Sequence, residues 1–135
     1  MARPSRGFTL IELLITVAIV GILIAAAVAS YGFATVKANR SAGKGCLLEQ
    51  AQAAERFYTT NLTYIGAPVA TCATDPQITA NYTVGAAAAA TASTFSYQAV
   101  PVGAQLSRDT LCGTLGVNQV GTKTASGAGG VAQCW

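Results

Sequence analysis

The dominant pattern in the chain is a long apolar segment close to its beginning. Residues 13–36 contain no charged side chain and are rich in Leu, Ile, Val and Ala. A helix of this length exceeds the roughly 20 residues that are needed to cross a bilayer. A polar, basic stretch from Met1 to Gly7 precedes it, and one acid, Glu12, lies at its start. The pattern predicts a transmembrane helix that carries a carboxylate near its first turn.

Three cations, Lys37, Arg40 and Lys44, follow the apolar segment. A basic collar of this kind is expected where a helix leaves the membrane, with its charges at the lipid headgroups or in solvent. The positive-inside rule would place it in the cytoplasm, but Arg3 and Arg6 compete from the other end of the segment. Charge therefore does not decide the orientation of the helix.

Helical spacing resumes beyond this collar. Apolar residues recur at i, i+4, i+7 and i+11, which predicts an amphipathic helix with one buried stripe: Leu47, Ala51, Ala54 and Tyr58. Gly43 and Gly45 each weaken a helix, so a bend or frayed turn is expected at 41–46. The chain thus predicts a helical spine whose second half packs on a head.

The remainder of the chain has the pattern of a small sheet. A turn-rich connection is expected at 61–80 because of its Asn, Gly, Asp and Pro residues. Alternating β-branched and aromatic residues predict strands at 81–84, 94–102 and 110–120. The Ala86–Ala90 tract is expected to be a loop. Glycines at 127, 129 and 130 predict a flexible turn before Val131–Trp135. Strands without intervening helices predict an antiparallel sheet, against which Trp135 is expected to dock.

Composition excludes several classes of function. The 135 residues are 52% hydrophobic and 10% charged, with a net charge of +3 and no histidine. Beyond Arg56 the only acids are Asp75 and Asp109, too few for a catalytic pair or a calcium site. Without histidine there is no Ser-His or Cys-His arrangement. We therefore expect no enzyme activity, no cofactor and no metal.

The four cysteines lie outside the apolar segment and form no C-x-x-C pair: Cys46, Cys72, Cys112 and Cys134. An even number beside an export signal predicts disulfides in an oxidising compartment, and hence a head outside the cytoplasm. Three pairings are possible. Loop length favours Cys46–Cys72 with Cys112–Cys134, each contributing about 3 kcal/mol on the chain-entropy model.

The segment Gly7-Phe8-Thr9-Leu10-Ile11-Glu12, between a basic leader and an apolar helix, closely resembles the N-terminus of type IV pilin precursors. A weaker resemblance, to short minor-pilin-like proteins, rests on Glu55-Arg56-Phe57-Tyr58-Thr59 with Tyr64 and on Cys112-Gly113-Thr114-Leu115 with Cys134-Trp135. Many relatives have a proline near the end of the apolar segment, where this chain has Ala29.

The resemblance implies how the chain is processed and assembled. A prepilin peptidase would cut between Gly7 and Phe8 and N-methylate Phe8. The anchored chain would then enter a filament through the pilus assembly machinery. Glu12 would pair with the cationic N-terminus of an adjacent subunit, which would offset the cost of a charge in an apolar environment. The last two cysteines, Cys112 and Cys134, would close a disulfide-bounded loop.

We therefore predict an α+β, type IV pilin-like fold, with a long N-terminal α-helical spine packed on a small antiparallel β-sheet head. Its parts are the leader at 1–7, a membrane and filament-core helix at 8–36, its amphipathic continuation at 37–60 and the disulfide-containing head at 61–135. The precursor is expected in the inner membrane with a periplasmic head, and the product in a surface pilus for adhesion, twitching motility or DNA uptake. Expected partners are other pilin subunits, the peptidase and assembly machinery, and DNA or a host surface.

Four alternatives accompany this prediction, one of which is a plain single-span membrane anchor. An ordinary secretory signal would be cleaved after Ala27-Val28-Ala29, so that the chain would begin at Ser30. A pseudopilin of a type II secretion system would share the N-terminus, although this chain lacks the acidic cluster that the major pseudopilin uses for calcium. A DNA-binding pilin receptor would use a basic track. Its candidate residues are Lys37, Arg40, Lys44, Arg56, Arg108 and Lys123.

Overall fold

The computed structural model describes residues 7–135, so residues 1–6 of the predicted leader lie outside the described part of the chain. The chain forms two compact units, one ending at Thr35 and one from Val36 to Trp135. The first unit consists of a helical segment. The second unit, called the head below, contains the rest of that helix, the sheet and both disulfides.

Helix α1 runs from Leu10 to Asn61 without interruption. The frayed turn predicted at 41–46 is therefore wrong. Gly43 is buried against β1, where a Cβ atom would lie only 2.9 Å from Cδ2 of Tyr82. The glycine thus permits close packing of the helix on the sheet, and this packing outweighs the low helix propensity of the residue.

The sheet is a four-stranded antiparallel meander with the order β1-β2-β3-β4. Its strands are β1 Tyr82–Ala88, β2 Ser96–Pro101, β3 Leu115–Asn118 and β4 Lys123–Ala125. Tyr82 pairs with Pro101, Tyr97 with Val117 and Leu115 with Ala125. The predicted α+β class, with a helical spine and a small antiparallel sheet, is confirmed.

Strand β4 was not predicted, and the limits of β1 and β3 differ from the prediction. Strand β1 includes Ala86 and Ala88, which were expected in a loop, because pairing with β2 overrides the helix propensity of alanine. Strand β3 is shorter than predicted because the chain turns before it. The N–H groups of Cys112 and Gly113 both donate to the Asp109 carbonyl, and Gly113 has a φ of 60°.

Short helices occupy several connections. A 3₁₀ turn, Thr71–Thr74, and helix α2, Pro76–Thr79, lie in the turn-rich region, and Asp75 caps α2 by accepting from the Gln77 N–H at 2.8 Å. Helix α3, Gly103–Arg108, lies between β2 and β3, so the expectation of strands without intervening helices is wrong there. Helix α4, Gly130–Cys134, follows β4. The predicted turn is present at 127–129, and the segment that follows it is helical.

The core lies between the second half of α1 and one face of the sheet. Leu47 and Ala54 are fully buried, and Ala51 and Tyr58 are partly buried against the same core, as the predicted stripe requires. From the sheet side the core receives Tyr82, Val84, Tyr97, Ala99, Leu115 and Val117. The two disulfides join Cys46 to Cys72 and Cys112 to Cys134, the pairing that loop length favours.

Candidate functional site

The beginning of α1 has a defined cap. The Thr9 hydroxyl oxygen accepts a hydrogen bond from the Glu12 backbone N–H at 3.3 Å. Thr9 and Glu12 have the spacing of a capping box, which fixes where a helix starts. The Glu12 side chain is exposed, so its carboxylate is available to a partner outside the subunit.

The first unit presents apolar side chains on every side of the helix. A helix that is hydrophobic all round requires a membrane or other helices around it. Helix α1 is also long and apolar enough to cross a membrane. Large exposed hydrophobic residues in this unit are Phe8, Leu10, Ile11, Leu13, Leu14, Ile15, Val17, Ile19, Val20, Ile22, Leu23, Ile24, Val28, Tyr31 and Phe33.

In the head, Arg40 forms an ion pair with Asp109. The guanidinium donates from Nε to Oδ2 at 2.9 Å and from Nη2 to Oδ1. The Asp109 side chain is completely buried and that of Arg40 is 13% exposed. Arg40 was expected to face lipid headgroups or solvent. That expectation is wrong, because a buried carboxylate in the head neutralises its charge.

Tyr82 and Gln105 complete a polar cluster around Asp109. The Tyr82 hydroxyl donates to Oδ2 of Asp109 at 2.8 Å, and Gln105 Nε2 lies 3.0 Å from the same oxygen. Gln105 Nε2 also lies 3.1 Å from the Val36 carbonyl oxygen, and Gln105 Oε1 accepts from Asn39. The cluster therefore ties α1 to β1 and to α3.

The pKa values within this cluster follow from burial and hydrogen bonding. Burial alone would raise the pKa of Asp109, but hydrogen bonds from Arg40, Tyr82 and Gln105 outweigh it and lower this pKa. The hydrogen bond to Asp109 raises the pKa of Arg40. Burial and donation to Asp109 raise the pKa of Tyr82 to about 12, so the phenol stays a neutral donor.

The lowered pKa of Asp109 predicts loss of stability in acid. A carboxyl whose folded pKa lies below its unfolded value, about 3.9, stabilises the fold above that value. Its contribution is lost as the pH falls through the lower, folded pKa. Urea unfolding of the full chain in detergent micelles should thus show a steep decrease below about pH 4. In Asp109→Asn this part of the decrease should be absent. An identical acid profile in both proteins would contradict the prediction.

Three of the predicted basic residues lie close in the chain to Arg40 or Asp109. Lys37 and Lys44 lie three and four residues from Arg40 on the same face of α1, and Arg108 precedes Asp109. Lys37 and Arg108 are exposed and Lys44 is half-buried. We call Lys37, Lys44 and Arg108 the basic patch.

The other two predicted cations lie elsewhere on the head. Arg56 is twelve residues beyond Lys44, about 18 Å along α1 and about 120° around it. Lys123 is on β4, at the sheet edge opposite β1, about 14 Å across three strand spacings. There the Lys123 ammonium lies over the ring of Trp135, which docks against β4 beside Cys134. The predicted basic track is therefore divided between separate positions.

Sequence reasoning missed three buried polar residues. Gln105 and Tyr82 belong to the Asp109 cluster, and Gln50 holds the loop after α1 by donating to the Pro68 carbonyl and accepting from the Ala70 N–H. Gln50 lies at i+3 from Leu47 and i−4 from Ala54, so helical spacing places it on the buried stripe. For Asp109 the only signal was an isolated acid in a segment nearly devoid of acids.

Two family models match the chain. One, described as "Type IV minor pilin ComP, DNA uptake sequence receptor", matches residues 29–116. The other, described as "Prokaryotic N-terminal methylation motif", matches residues 2–28. No curated protein matches the chain.

Two solved structures share the fold. The crystal structure of the non-core minor pilin PilV of Neisseria meningitidis has 22% identity and a TM-score of 0.53, and the match covers 69% of this chain and 88% of that chain. A type IV pilin of Shewanella oneidensis has 24% identity and a TM-score of 0.54, and the match covers 74% of this chain and 97% of that chain. The predicted pilin-like architecture is confirmed.

Proposed function

Because the chain belongs to the ComP family of type IV minor pilins, it is a subunit of a type IV pilus, and we propose that its head binds DNA at the cell surface. The family model is described as that of a DNA uptake sequence receptor. This favours the pilus subunit over the pseudopilin alternative. Pilins are structural proteins, and the proposed role requires no catalysis.

The match to the N-terminal methylation motif implies a membrane-anchored precursor that a prepilin peptidase processes. We propose that cleavage occurs between Gly7 and Phe8 and that Phe8 receives the methyl group, with the leader at 1–7 and the filament-core helix at 8–36. Two disulfides in the head support a periplasmic orientation before assembly, because disulfides persist in oxidising compartments. Adhesion to a host surface and twitching motility stay predictions of the sequence.

The observation that carries the DNA-binding proposal is the neutralisation of Asp109 by Arg40. Within the described residues 7–135 this is the one ion pair, so no acid is paired with the basic patch. Lys37 and Lys44 are two turns of α1 apart, about 10 Å. Arg108 lies on α3, which the Asp109 cluster ties to α1, and we propose that the three cations form one positively charged surface.

Such a surface suits the phosphate backbone of DNA. Cations that neutralise phosphates release counterions, which supplies most of the sequence-independent affinity of a DNA-binding protein. Phosphate contacts position the protein on the duplex and do not read its sequence. The basic patch is thus proposed as the positioning part of a receptor surface.

Salt dependence tests this proposal. Each phosphate contact changes the slope of log K against log salt concentration by about 0.9, so three contacts predict a contribution of about −2.7. The full chain in detergent micelles should bind labelled duplex DNA, measured by fluorescence anisotropy between roughly 50 and 200 mM salt. Neutralising Lys37, Lys44 and Arg108 to Gln should flatten the slope by about that amount.

Arg56→Gln is the matched control, because Arg56 is an exposed cation on another face of the same helix. It should leave the slope within about 0.9 of the unsubstituted value. An unchanged slope in the triple variant would remove the basic patch from the DNA surface. Absence of binding at the lowest salt concentration would refute DNA binding itself.

A further inference from the structure

Trp135 is partly buried against the core of the head, and Lys123 contacts its ring. The Lys123 ammonium lies 5.0 Å from the centroid of the Trp135 ring. The indole Nε1–H donates to the Thr124 carbonyl oxygen at 2.8 Å, so the ring lies along the edge strand β4. Trp135 is the only tryptophan in the chain.

The orientation of the Trp135 ring is fixed by its neighbours. Its backbone N–H donates to the Val131 carbonyl oxygen at 3.1 Å. The preceding residue, Cys134, is only 1% exposed and is bonded to Cys112. The side-chain hydrogen bond to Thr124 and this disulfide therefore hold the indole from two sides, and little conformational entropy remains to be lost when a ligand binds.

The surroundings of the ring favour an anionic ligand. Trp135 is half-buried, whereas Lys123 and Thr124 are exposed. No Asp or Glu occurs in the sequence from 110 to 135. Within the described residues Lys123 makes no ion pair, so its charge is available to a phosphate. A rigid aromatic face beside an available cation is the combination that binds single-stranded nucleic acids.

We propose that the Trp135 indole is a stacking site for an unpaired nucleobase of DNA, with Lys123 contacting the adjacent phosphate. This proposal rests on the proposed function of DNA binding. It adds that the Trp135 site binds an unpaired nucleotide. In the free protein the Lys123 ammonium covers the ring. When DNA binds, the ammonium moves to a phosphate and a base replaces it on the indole, since base stacking is stronger than an exposed cation–π contact.

The base must be unpaired for a geometric reason. Inside a duplex both faces of a base are covered by its neighbours, so an aromatic side chain reaches a free face only at a single-stranded stretch or a frayed end. The basic patch and the Trp135 site would then have different substrates. The basic patch would bind the backbone of the duplex, and the Trp135 site would bind an unpaired nucleotide.

The fluorescence of the single tryptophan tests this proposal on the unsubstituted full chain in detergent micelles. A mixed-sequence single strand of about 12 nucleotides should bind and quench the Trp135 emission. An abasic strand with the same number of phosphates should bind more weakly and leave the emission unchanged. A blunt duplex should quench less than the same duplex with a single-stranded overhang.

Variants separate stacking from a merely structural role of the ring. Trp135→Ala should weaken single-strand binding by about 5- to 100-fold, whereas Trp135→Phe, which keeps an aromatic face, should retain most of the affinity. Lys123→Gln should lower the magnitude of the salt slope for a single strand by about 0.7 and preserve the quenching.

The outcomes also distinguish this proposal from DNA binding in general. If DNA binds by anisotropy but the emission does not change, or if abasic and base-containing strands quench equally, the stacking site is refuted while DNA binding stands. If no DNA binds, both proposals fail. Quenching by a neutral oligosaccharide and not by DNA would assign the indole to a carbohydrate and overturn the proposal.

Discussion

Replacing Asp109 with alanine should destabilise the head by about 3 kcal/mol. Removing one partner of a buried ion pair costs about 3–5 kcal/mol, because the remaining charge loses its compensation. We expect the lower end of this range because the Arg40 side chain is 13% exposed and can recover some hydration. The substitution also leaves the Tyr82 hydroxyl and the Gln105 amide without their shared acceptor. Urea unfolding, followed by the fluorescence of Trp135, measures the loss.

Glu49→Ala is the matched control for this substitution. Glu49 is an exposed carboxylate on α1 that forms no ion pair within the described residues, so its removal should change the free energy of unfolding by no more than about 0.5 kcal/mol. If Asp109→Ala and Glu49→Ala have equal effects, the Asp109 cluster does not stabilise the head. The basic patch would then not be held rigid by this cluster.

Replacing Glu12 with alanine should reduce filament assembly about tenfold or more, with membrane insertion and cleavage unchanged. We propose that the exposed Glu12 carboxylate pairs with the cationic N-terminus of a neighbouring subunit. Each 1.4 kcal/mol lost from such a contact lowers the association constant tenfold. The amount of the subunit in sheared surface filaments, relative to processed subunit in the membrane, measures the effect.

The start of α1 should survive the Glu12 substitution, because Thr9 accepts from the backbone N–H of Glu12 and not from its side chain. A change in assembly would therefore be due to loss of the Glu12 carboxylate and not to a change in the helix. Glu49→Ala again serves as control, since it removes an exposed carboxylate from the head part of the same helix. Normal assembly of Glu12→Ala would show that the charge has no role in subunit pairing.

Much of the fold follows from local sequence patterns. The apolar segment and the stripe that begins at Leu47 predict one long helix, and alternation of apolar residues predicts an antiparallel sheet. These patterns succeed because each records which face of an element is buried. They fail at Gly43, where glycine signals close contact with Tyr82 and not a break in the helix. The approach of Tyr82, from a distant part of the chain, is invisible in a local window.

The candidate site was less predictable than the fold. Arg40 and Asp109 are 69 residues apart in the sequence, and no local pattern connects them. Arg40 therefore resembled its neighbours Lys37 and Lys44 in sequence, although only the arginine is neutralised. The position of Trp135 on β4 likewise depends on tertiary contacts, namely its hydrogen bond to Thr124 and the Cys112–Cys134 disulfide.

We propose that this chain enters a surface pilus after its leader is removed and both disulfides have formed. The intact mass of the subunit recovered from sheared surface filaments tests both steps. We expect a chain that begins at N-methylated Phe8 and whose mass is lower by four hydrogens, two for each disulfide. A chain that begins at Ser30, as an ordinary secretory signal would produce, or one that retains all four thiols, would contradict it.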